Sequence, residues 1–494
     1  MSSIIVLIFV FFLDLLGNSC LVEAQSVNRP NIIVIMADDL GYADVGFNGC
    51  KDIPTPNIDR LATSGARFTS AYVTAPNCGP SRAGFITGRL QSTFGWYANS
   101  DQPLDPQQGL PANIQTVAKL MQEQGYVTGM MGKWHMGTAD YQDPNVLGFS
   151  EYWGFLGGSH LYYPMDDPRY HGKYLNMKKP WGIADSHNCL PILHNREPVV
   201  WHQYLTRELT DQGINFIKKN RNKSLFLFMS YNAPHLPLEA PKETIAMFSE
   251  EKMTAIPGVK PKDRAIYGAM VYELDMGVGR LMKTLDQLGL TENTIVWFLS
   301  DNGGMKRTSD NRPLRGAKWD SYEGGLRVPF VVNWPGHIKS GSVLQFPVTS
   351  LDIGATSVAL AGGDLSIAGL DGSNIAGYMT GQTTKAPHQE LLWRWDRKPG
   401  KKNGVCLIDG YKLIVQNGIV VALYNLKNDL SETTDLSQTE PDRVRMMLAQ
   451  WKILDQSSQP PLWKSLTKKE QMKDKYQYKD YEWLKGTPYY KTNE

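Results

Sequence analysis

Three runs, Asn31–Ala37 (NIIVIMA), Ser224–Ser230 (SLFLFMS) and Thr294–Ser300 (TIVWFLS), are apolar almost without interruption and rich in β-branched or aromatic residues. A strand with one face in water alternates apolar and polar side chains. A run without alternation needs cover on both faces, which is the situation of strands in a parallel α/β sheet. The intervening segments supply that cover. Ile114–Gln124 follows a Pro-Ala-Asn start, and Tyr204–Lys219 and Arg264–Leu288 carry apolar residues at helical spacing. The expected fold is therefore α/β: a large domain whose mostly parallel sheet is sandwiched by helices.

The pattern changes near residue 385. Leu391–Trp395, Val405–Ile408, Tyr411–Val415 and Val420–Leu426 are short strand candidates, and Asp409-Gly410 between the middle two is a hairpin signal. Pro441–Leu454 has the character of a helix. We expect a small C-terminal α+β domain with an antiparallel sheet, spanning 385–494 together with a tail rich in Lys and Tyr. The large domain then occupies 25–384. The chain's 494 residues accommodate both units.

Residues 1–24 have the form of a signal peptide. Ile4–Leu16 is apolar apart from Asp14, too short to span a bilayer, and Val22-Glu23-Ala24 offers small residues where a signal peptidase cuts. The expected location is secreted or lysosomal, or periplasmic in a bacterium, with no membrane anchor. Of five cysteines, Cys50, Cys78, Cys189 and Cys406 outlast cleavage, too few for a disulfide framework. Asn222-Lys223-Ser224 is a glycosylation sequon, usable in a eukaryote. A formal net charge of +2 gives no global field for nucleic acid, so an anionic substrate must be held by local cations.

The chemistry is concentrated where the three runs stop. The first continues into Asp38-Asp39, the second into Tyr231-Asn232-Ala233-Pro234-His235, and the third into Asp301-Asn302-Gly303-Gly304. Ligands of open parallel sheets bind just beyond the carboxyl ends of the strands. An Asp-Asp pair alone is more often a turn or helix cap, and Asp-Asn-Gly a tight turn. Three such ends converging favour a hard divalent cation, Ca²⁺ or Mg²⁺, held by Asp38, Asp39, Asp301 and Asn302. Cys78-Gly79-Pro80-Ser81-Arg82 follows, with Pro80 suited to the first turn of a helix, so that Cys78 stands at a helix N-terminus with Arg82 one turn on. That context suits a nucleophile or an anion site, although a lone Cys is more often a small buried apolar residue.

Cys78-x-Pro80-Ser81-Arg82 followed by Thr87-Gly88-Arg89 resembles the signature of the formylglycine-dependent sulfatases, of the arylsulfatase-like Cys type within the alkaline-phosphatase-like superfamily. The resemblance extends over nearly all of the chain after residue 24. It implies a sulfuric ester hydrolase in which Cys78 is oxidised to formylglycine by a formylglycine-generating enzyme during secretion. It further implies that Asp38, Asp39, Asp301 and Asn302 hold the metal, with the modified Cys78 beside it. Gly132-Lys133-Trp134-His135 matches the segment supplying a catalytic Lys and His, Ala233-Pro234-His235 a second His, and Arg315-Gly316-Ala317-Lys318 a second Lys. Ser159, in Gly157-Gly158-Ser159-His160, matches a substrate-contacting Ser more weakly, and His160 adjoins it.

The residue types fit these roles. Lys133 and Lys318 would bind and polarise the sulfate oxygens, and the rigid fork of Arg82 would steady the diol of hydrated formylglycine. One hydroxyl of that diol attacks sulfur. His235 or Lys318, with His235 preferred, protonates the leaving oxygen, and His135 deprotonates the second hydroxyl so that sulfate leaves and the aldehyde returns. The expected substrate is a sulfated carbohydrate or another sulfate ester. His171, His187, His194 and His202 fall in a Trp- and Tyr-rich stretch that is either surface loop or pocket wall. Arg307 and Arg312 are candidates for reading further anionic groups. Two other readings are phosphate ester hydrolysis on the same fold, against which the intact Cys signature speaks, and a silent binding protein for sulfated glycans, which would require a missing catalytic residue.

Overall fold

A computed structural model describes residues 29–100, 105, 107–164, 191–396 and 401–464. The expected signal peptide (1–24), the tail beyond 464, Cys189, His171 and His187 lie outside the described residues.

Ten strands form one sheet in the order Ser342–Leu344, Ala66–Phe68, Phe330–Asn333, Thr294–Ser300, Asn31–Ala37, Leu225–Ser230, Val127–Lys133, Glu151–Phe155, Leu193–His194, Glu197–Pro198. The middle five, from Thr294–Ser300 to Glu151–Phe155, run parallel. Phe330–Asn333 pairs antiparallel with Thr294–Ser300, so the sheet is mixed at its margin.

The uninterrupted apolar runs have the expected cause. Ile32, Val34 and Met36 point into one core, shared with Phe85, Ile86, Val117, Met121, Ile353 and Val358 from the helices Cys78–Thr87, Val117–Glu123 and Leu351–Leu360. Ile33, Ile35 and Ala37 point into a second core, built with Leu209, Phe216, Leu274 and Val278 from Leu205–Lys219 and Pro261–Gln287. Successive side chains of a strand face opposite ways, so both sets must be apolar when helices lie on both faces.

Helix starts differ slightly from expectation. The helix expected from Ile114 begins at Val117, because the Thr116 hydroxyl accepts the Lys119 N–H at 3.2 Å and caps it there. The helix expected from Arg264 begins one turn earlier, with Pro261 in its first turn, where a missing N–H costs nothing.

Beyond the large sheet, Glu390–Asp396, Lys402–Ile408, Tyr411–Gln416 and Ile419–Asn425 form a separate antiparallel sheet in chain order. Asp409 and Gly410 turn its central hairpin with φ of 52° and 80°, the left-handed pair that a two-residue hairpin needs. The helix Pro441–Ser457 covers one face through Met447 and Trp451. The Trp451 indole lies on Gly404, where a Cβ would meet its Nε1 at 1.9 Å. The other face packs Trp393, Val405 and Ile414 against Tyr72 and Leu326 of the large unit.

Candidate active site

The backbone brings the strand ends into register before any side chain is considered. Asp38 N–H donates to Ala233 O at 3.1 Å, Asp301 N–H to Ala37 O at 3.0 Å, and Tyr231 N–H to Met36 O at 3.0 Å. Two consecutive carboxylates on an extended chain would point apart. Asp39 instead takes a left-handed φ of 63°, a strained conformation for a residue with a Cβ and one that concentrates at functional sites. Asp38 Oδ1 and Asp39 Oδ1 consequently both face Cys78 Sγ, at 3.6 and 3.9 Å.

Cys78 is the first residue of the helix Cys78–Thr87, every residue of which is buried. The amides of that first turn are partly satisfied from outside: Asn99 Oδ1 accepts the Gly79 N–H at 2.9 Å and an Asn77 Nδ2 hydrogen at 3.1 Å. Burial, against the pull of Lys133 and Lys318, pushes the Cys78 thiol up to about 12. An unmodified thiol here is a poor nucleophile at neutral pH.

Three cations surround the acids. Lys133 Nζ lies 2.6 Å from Asp38 Oδ2, and Lys318 Nζ 2.7 Å from Asp39 Oδ1 and 2.9 Å from Cys78 Sγ. Arg82 is fully buried; its Nε donates to Asp301 Oδ2 at 2.8 Å and its Nη1 to Ser230 Oγ at 2.6 Å. Burial opposes ionisation of Asp38, yet Lys133, His235 and Arg82 together hold its carboxyl below the ordinary range. Asp39 is lowered in the same way, chiefly by Lys318. Asp301 goes the other way: burial and the neighbouring Asp38 outweigh its Arg82 partner and raise it.

The polar atoms suit a divalent cation. Asp38, Asp39, Cys78 and His235 each offer a ligand atom, all within 4.8 Å of one another. His235 Nδ1 faces Leu236 O at 2.7 Å, so Nδ1 carries hydrogen and Nε2 is turned to Asp39 Oδ2 at 3.6 Å. In the neutral ring that sets a lone pair against a carboxylate, an arrangement that suits an intervening cation or a proton. Asn302 donates through Nδ2 to Asp39 Oδ1 at 2.7 Å, while its buried Oδ1 accepts no hydrogen bond among the described residues. An orphaned buried carbonyl beside three carboxylates is the donor chemistry of Ca²⁺ or Mg²⁺.

The remaining candidates are less central. His135 has a left-handed φ of 62°, and its ring lies on Gly158, where a Cβ would stand 2.6 Å from Nε2. The Gly157-Gly158-Ser159 loop thus packs against His135, with Ser159 half-buried. His160 is buried, its ring packed on Phe155 and Trp201 and its Nδ1 2.8 Å from Leu161 O. His194 pairs with Glu151 at 3.6 Å and His202 is exposed. Arg312 is half exposed and bound to Asp310 at 2.6 Å, and Arg307 is exposed.

Sequence reasoning missed Ser230, which receives Arg82 and itself donates to Lys133 O at 2.6 Å. It also missed Tyr162, whose hydroxyl lies 2.7 Å from Asn232 O and 2.9 Å from His235 O and anchors the His235 loop. Ser230 ends a strand run and was within reach of the strand-end argument. Tyr162 gave no local signal.

A doubly wound sheet with buried acids and cations clustered at the carboxyl ends of its strands defines a hydrolase of anionic esters. The sulfatase family profile matches residues 30–363, and the chain belongs to that family of sulfuric ester hydrolases. It is 32% identical to N-acetylgalactosamine-6-sulfatase of Mus musculus over 377 residues, 71% of this chain and 67% of that protein. It is 33% identical to arylsulfatase A of Homo sapiens over 403 residues, 76% of this chain and 72% of the relative. Among solved structures, Ps i-CgsB in complex with k-i-k-neocarrahexaose superposes with a TM-score of 0.80 at 38% identity, covering 90% of this chain and 96% of that one. The crystal structure of PsFucS1 sulfatase from Pseudoalteromonas sp. superposes with a TM-score of 0.64 at 24% identity, covering 87% of this chain and 91% of that one, and shares the fold.

Proposed function

We propose that this sulfatase cleaves sulfate esters from a sulfated carbohydrate through formylglycine made from Cys78, with a bound Ca²⁺ or Mg²⁺. The carrying observation is the convergence of Asp38, Asp39, Lys133 and Lys318 on Cys78, whose own thiol is unsuited to attack. Formylglycine at position 78 would supply, when hydrated, an oxygen nucleophile regenerated as the aldehyde, and a divalent cation would supply charge to polarise the sulfate ester.

The chain's own groups do the rest. Asp38, Asp39, Asp301 and Asn302 would hold the cation, with residue 78 beside them. Lys133 and Lys318 bind the non-bridging sulfate oxygens, and Arg82 fixes Asp301 through its guanidinium. His235 presents Nε2 to the site and is assigned to the departing alcohol; burial lowers its pKa, so Nε2 must take up a proton before it can donate one. His135 is assigned as the base that takes the proton from the nucleophilic centre. Ser159 and His160 are assigned to the wall of the sugar pocket.

The substrate class rests on the 38% identical neighbour crystallised with neocarrahexaose, which favours an oligosaccharide over a small aryl ester. Residues 1–24 serve as signal peptide, 25–384 carry catalysis, and 385–494 form the accessory unit. The chain is secreted or lysosomal, meeting a formylglycine-generating enzyme on the way. Among the described residues no helix is long and apolar enough to cross a membrane. The test is a panel of defined sulfated oligosaccharides, carrageenan-type chains included, beside aryl sulfate and aryl phosphate. Sulfate release from at least one sugar is expected; faster cleavage of the aryl phosphate would replace this reading with phosphoester hydrolysis.

A further inference from the structure

The C-terminal sheet carries a charge where a sheet face should be apolar. Lys412 lies in the strand Tyr411–Gln416 and is 1% exposed. Its Nζ is 2.9 Å from Glu323 Oε1 and 3.0 Å from Glu432 Oε1, and both acids are fully buried. A buried ammonium between two buried carboxylates is a poor way to gain stability, since desolvation consumes most of the attraction. Such groups are better explained by what they fix in place.

What they fix is the backbone of the active site. Glu323 opens the short helix Glu323–Leu326, and its N–H donates to Glu432 Oε2 at 2.7 Å. Its Oε2 accepts the Tyr72 hydroxyl at 2.9 Å and lies 3.2 Å from Arg327 Nη1. The next two residues reach the site on both sides. Gly324 N–H donates to Arg315 O at 2.7 Å, closing the loop that carries Lys318, and Gly303 N–H donates to Gly325 O at 3.0 Å, next to Asn302. The approach is tight: a Cβ on Gly303 would stand 1.8 Å from Gly324 O. Arg315 ties the same loop to the C-terminal unit, donating to Glu432 O at 2.7 Å with its guanidinium 4.0 Å from the Tyr322 ring. Glu432 holds this arrangement in a left-handed conformation, φ 53°.

We propose that Lys412 is a positioning residue: from the C-terminal sheet, through Glu323 and Glu432, it sets the backbone that places Lys318 and Asn302. The inference rests on the sulfatase reading for what Lys318 and Asn302 do, but the placement itself is independent of that chemistry. Cross-domain ties of this kind act as supporting contacts around the reacting groups, whose loss costs about 10–100-fold in activity or metal affinity.

The test is Lys412→Met in the full chain, with hydrogen exchange followed peptide by peptide, kcat/KM on an aryl sulfate, and Tm. The expected result is faster exchange confined to 301–327 and the 402–432 hairpins, unchanged exchange in Asn31–Ala37, and kcat/KM lower by about 10–100-fold. Lys412→Arg should restore most of the loss. Unchanged exchange over 301–327 overturns the proposal. So does a uniform rise in exchange across the chain, with kcat/KM per folded molecule unchanged, which is the signature of a purely structural tie. If Lys412→Met does not fold, Glu432→Gln, which keeps the Lys412–Glu323 pair, carries the same comparison. A wild-type chain that hydrolyses no sulfate ester would sink the sulfatase reading and leave the exchange result to judge this one.

Discussion

Lys318 Nζ stands between Cys78 Sγ, at 2.9 Å, and Asp39 Oδ1, at 2.7 Å. One ammonium therefore touches both the reacting position and a carboxylate of the candidate metal site. Against the cost of burial, the Asp39 carboxylate keeps Lys318 protonated well above its ordinary range. At neutral pH it acts as a fixed cation and hydrogen-bond donor. Lys318→Ala should lower kcat/KM on an aryl sulfate by about 10²–10³-fold, the usual cost of one preorganised donor. Steady-state kinetics check this, and a loss under threefold would remove Lys318 from the transition state.

Cys78 offers a sharper separation of chemistry from fold. Cys78→Ala removes a buried Sγ whose neighbours are mainly charged groups, so Tm should change little while turnover falls to background. Peptide mass spectrometry of active wild-type protein should show the aldehyde or its hydrate at position 78. Finding only unmodified thiol in fully active protein would refute the proposed nucleophile.

Metal removal should act on the same centre. A chelator is expected to reduce activity, with recovery on adding Ca²⁺ or Mg²⁺, and calorimetry should detect weaker binding in Asp38→Asn. Binding unaltered by Asp38→Asn would place the cation elsewhere.

A pH effect is expected away from the reacting groups. Glu239 is buried with one described hydrogen bond to its carboxylate, the Tyr162 N–H at 2.9 Å, and burial pushes it up to about 7 from 4.5. Its folded pKa is raised, so the native state holds a proton that the unfolded chain has released between pH 4.5 and 7. Stability is therefore fullest below pH 4.5, as far as this group is concerned, and falls as pH rises to 7. The total is about 3 kcal/mol. Glu239→Gln should flatten that slope in denaturant titrations across the window; an identical slope in both proteins would show that Glu239 does not titrate there.

The C-terminal unit should depend on one indole. Trp451 is 1% exposed, lies on Gly404 and donates through Nε1 to Trp393 O at 2.9 Å. Trp451→Ala should cost about 3–5 kcal/mol, read from urea unfolding. A cost below 1 kcal/mol would mean the helix Pro441–Ser457 is not held by this contact.

Much of this was legible in the sequence where local pattern and chemistry coincide. NIIVIMA, SLFLFMS and TIVWFLS announced central strands because cover on both faces forbids alternation, and the polar residues that end them mark the site. Asp409-Gly410 announced a hairpin because few other pairs tolerate two left-handed residues. What escaped depends on tertiary pairing. Lys412 sits in a strand where a Lys ordinarily faces water, and only the fold shows Glu323 and Glu432 waiting for it. Tyr162 and Asn99 reach the site through a loop and a backbone turn distant in sequence from the groups they hold. His160 was read as a pocket residue from adjacency to Ser159, and only the fold shows that its ring also packs on Phe155 and Trp201.

The strand Asn31–Ala37 gives its odd and even side chains to different cores. Neither core can therefore melt by itself, because loosening one pulls on the backbone that the other is gripping. The two helical layers should lose structure as one cooperative unit under heat, with a single transition rather than a softened half. Asp38 and Asp39 are the next two residues of that same strand's chain, so the sulfatase should stay near full activity up to the melt and then lose it abruptly.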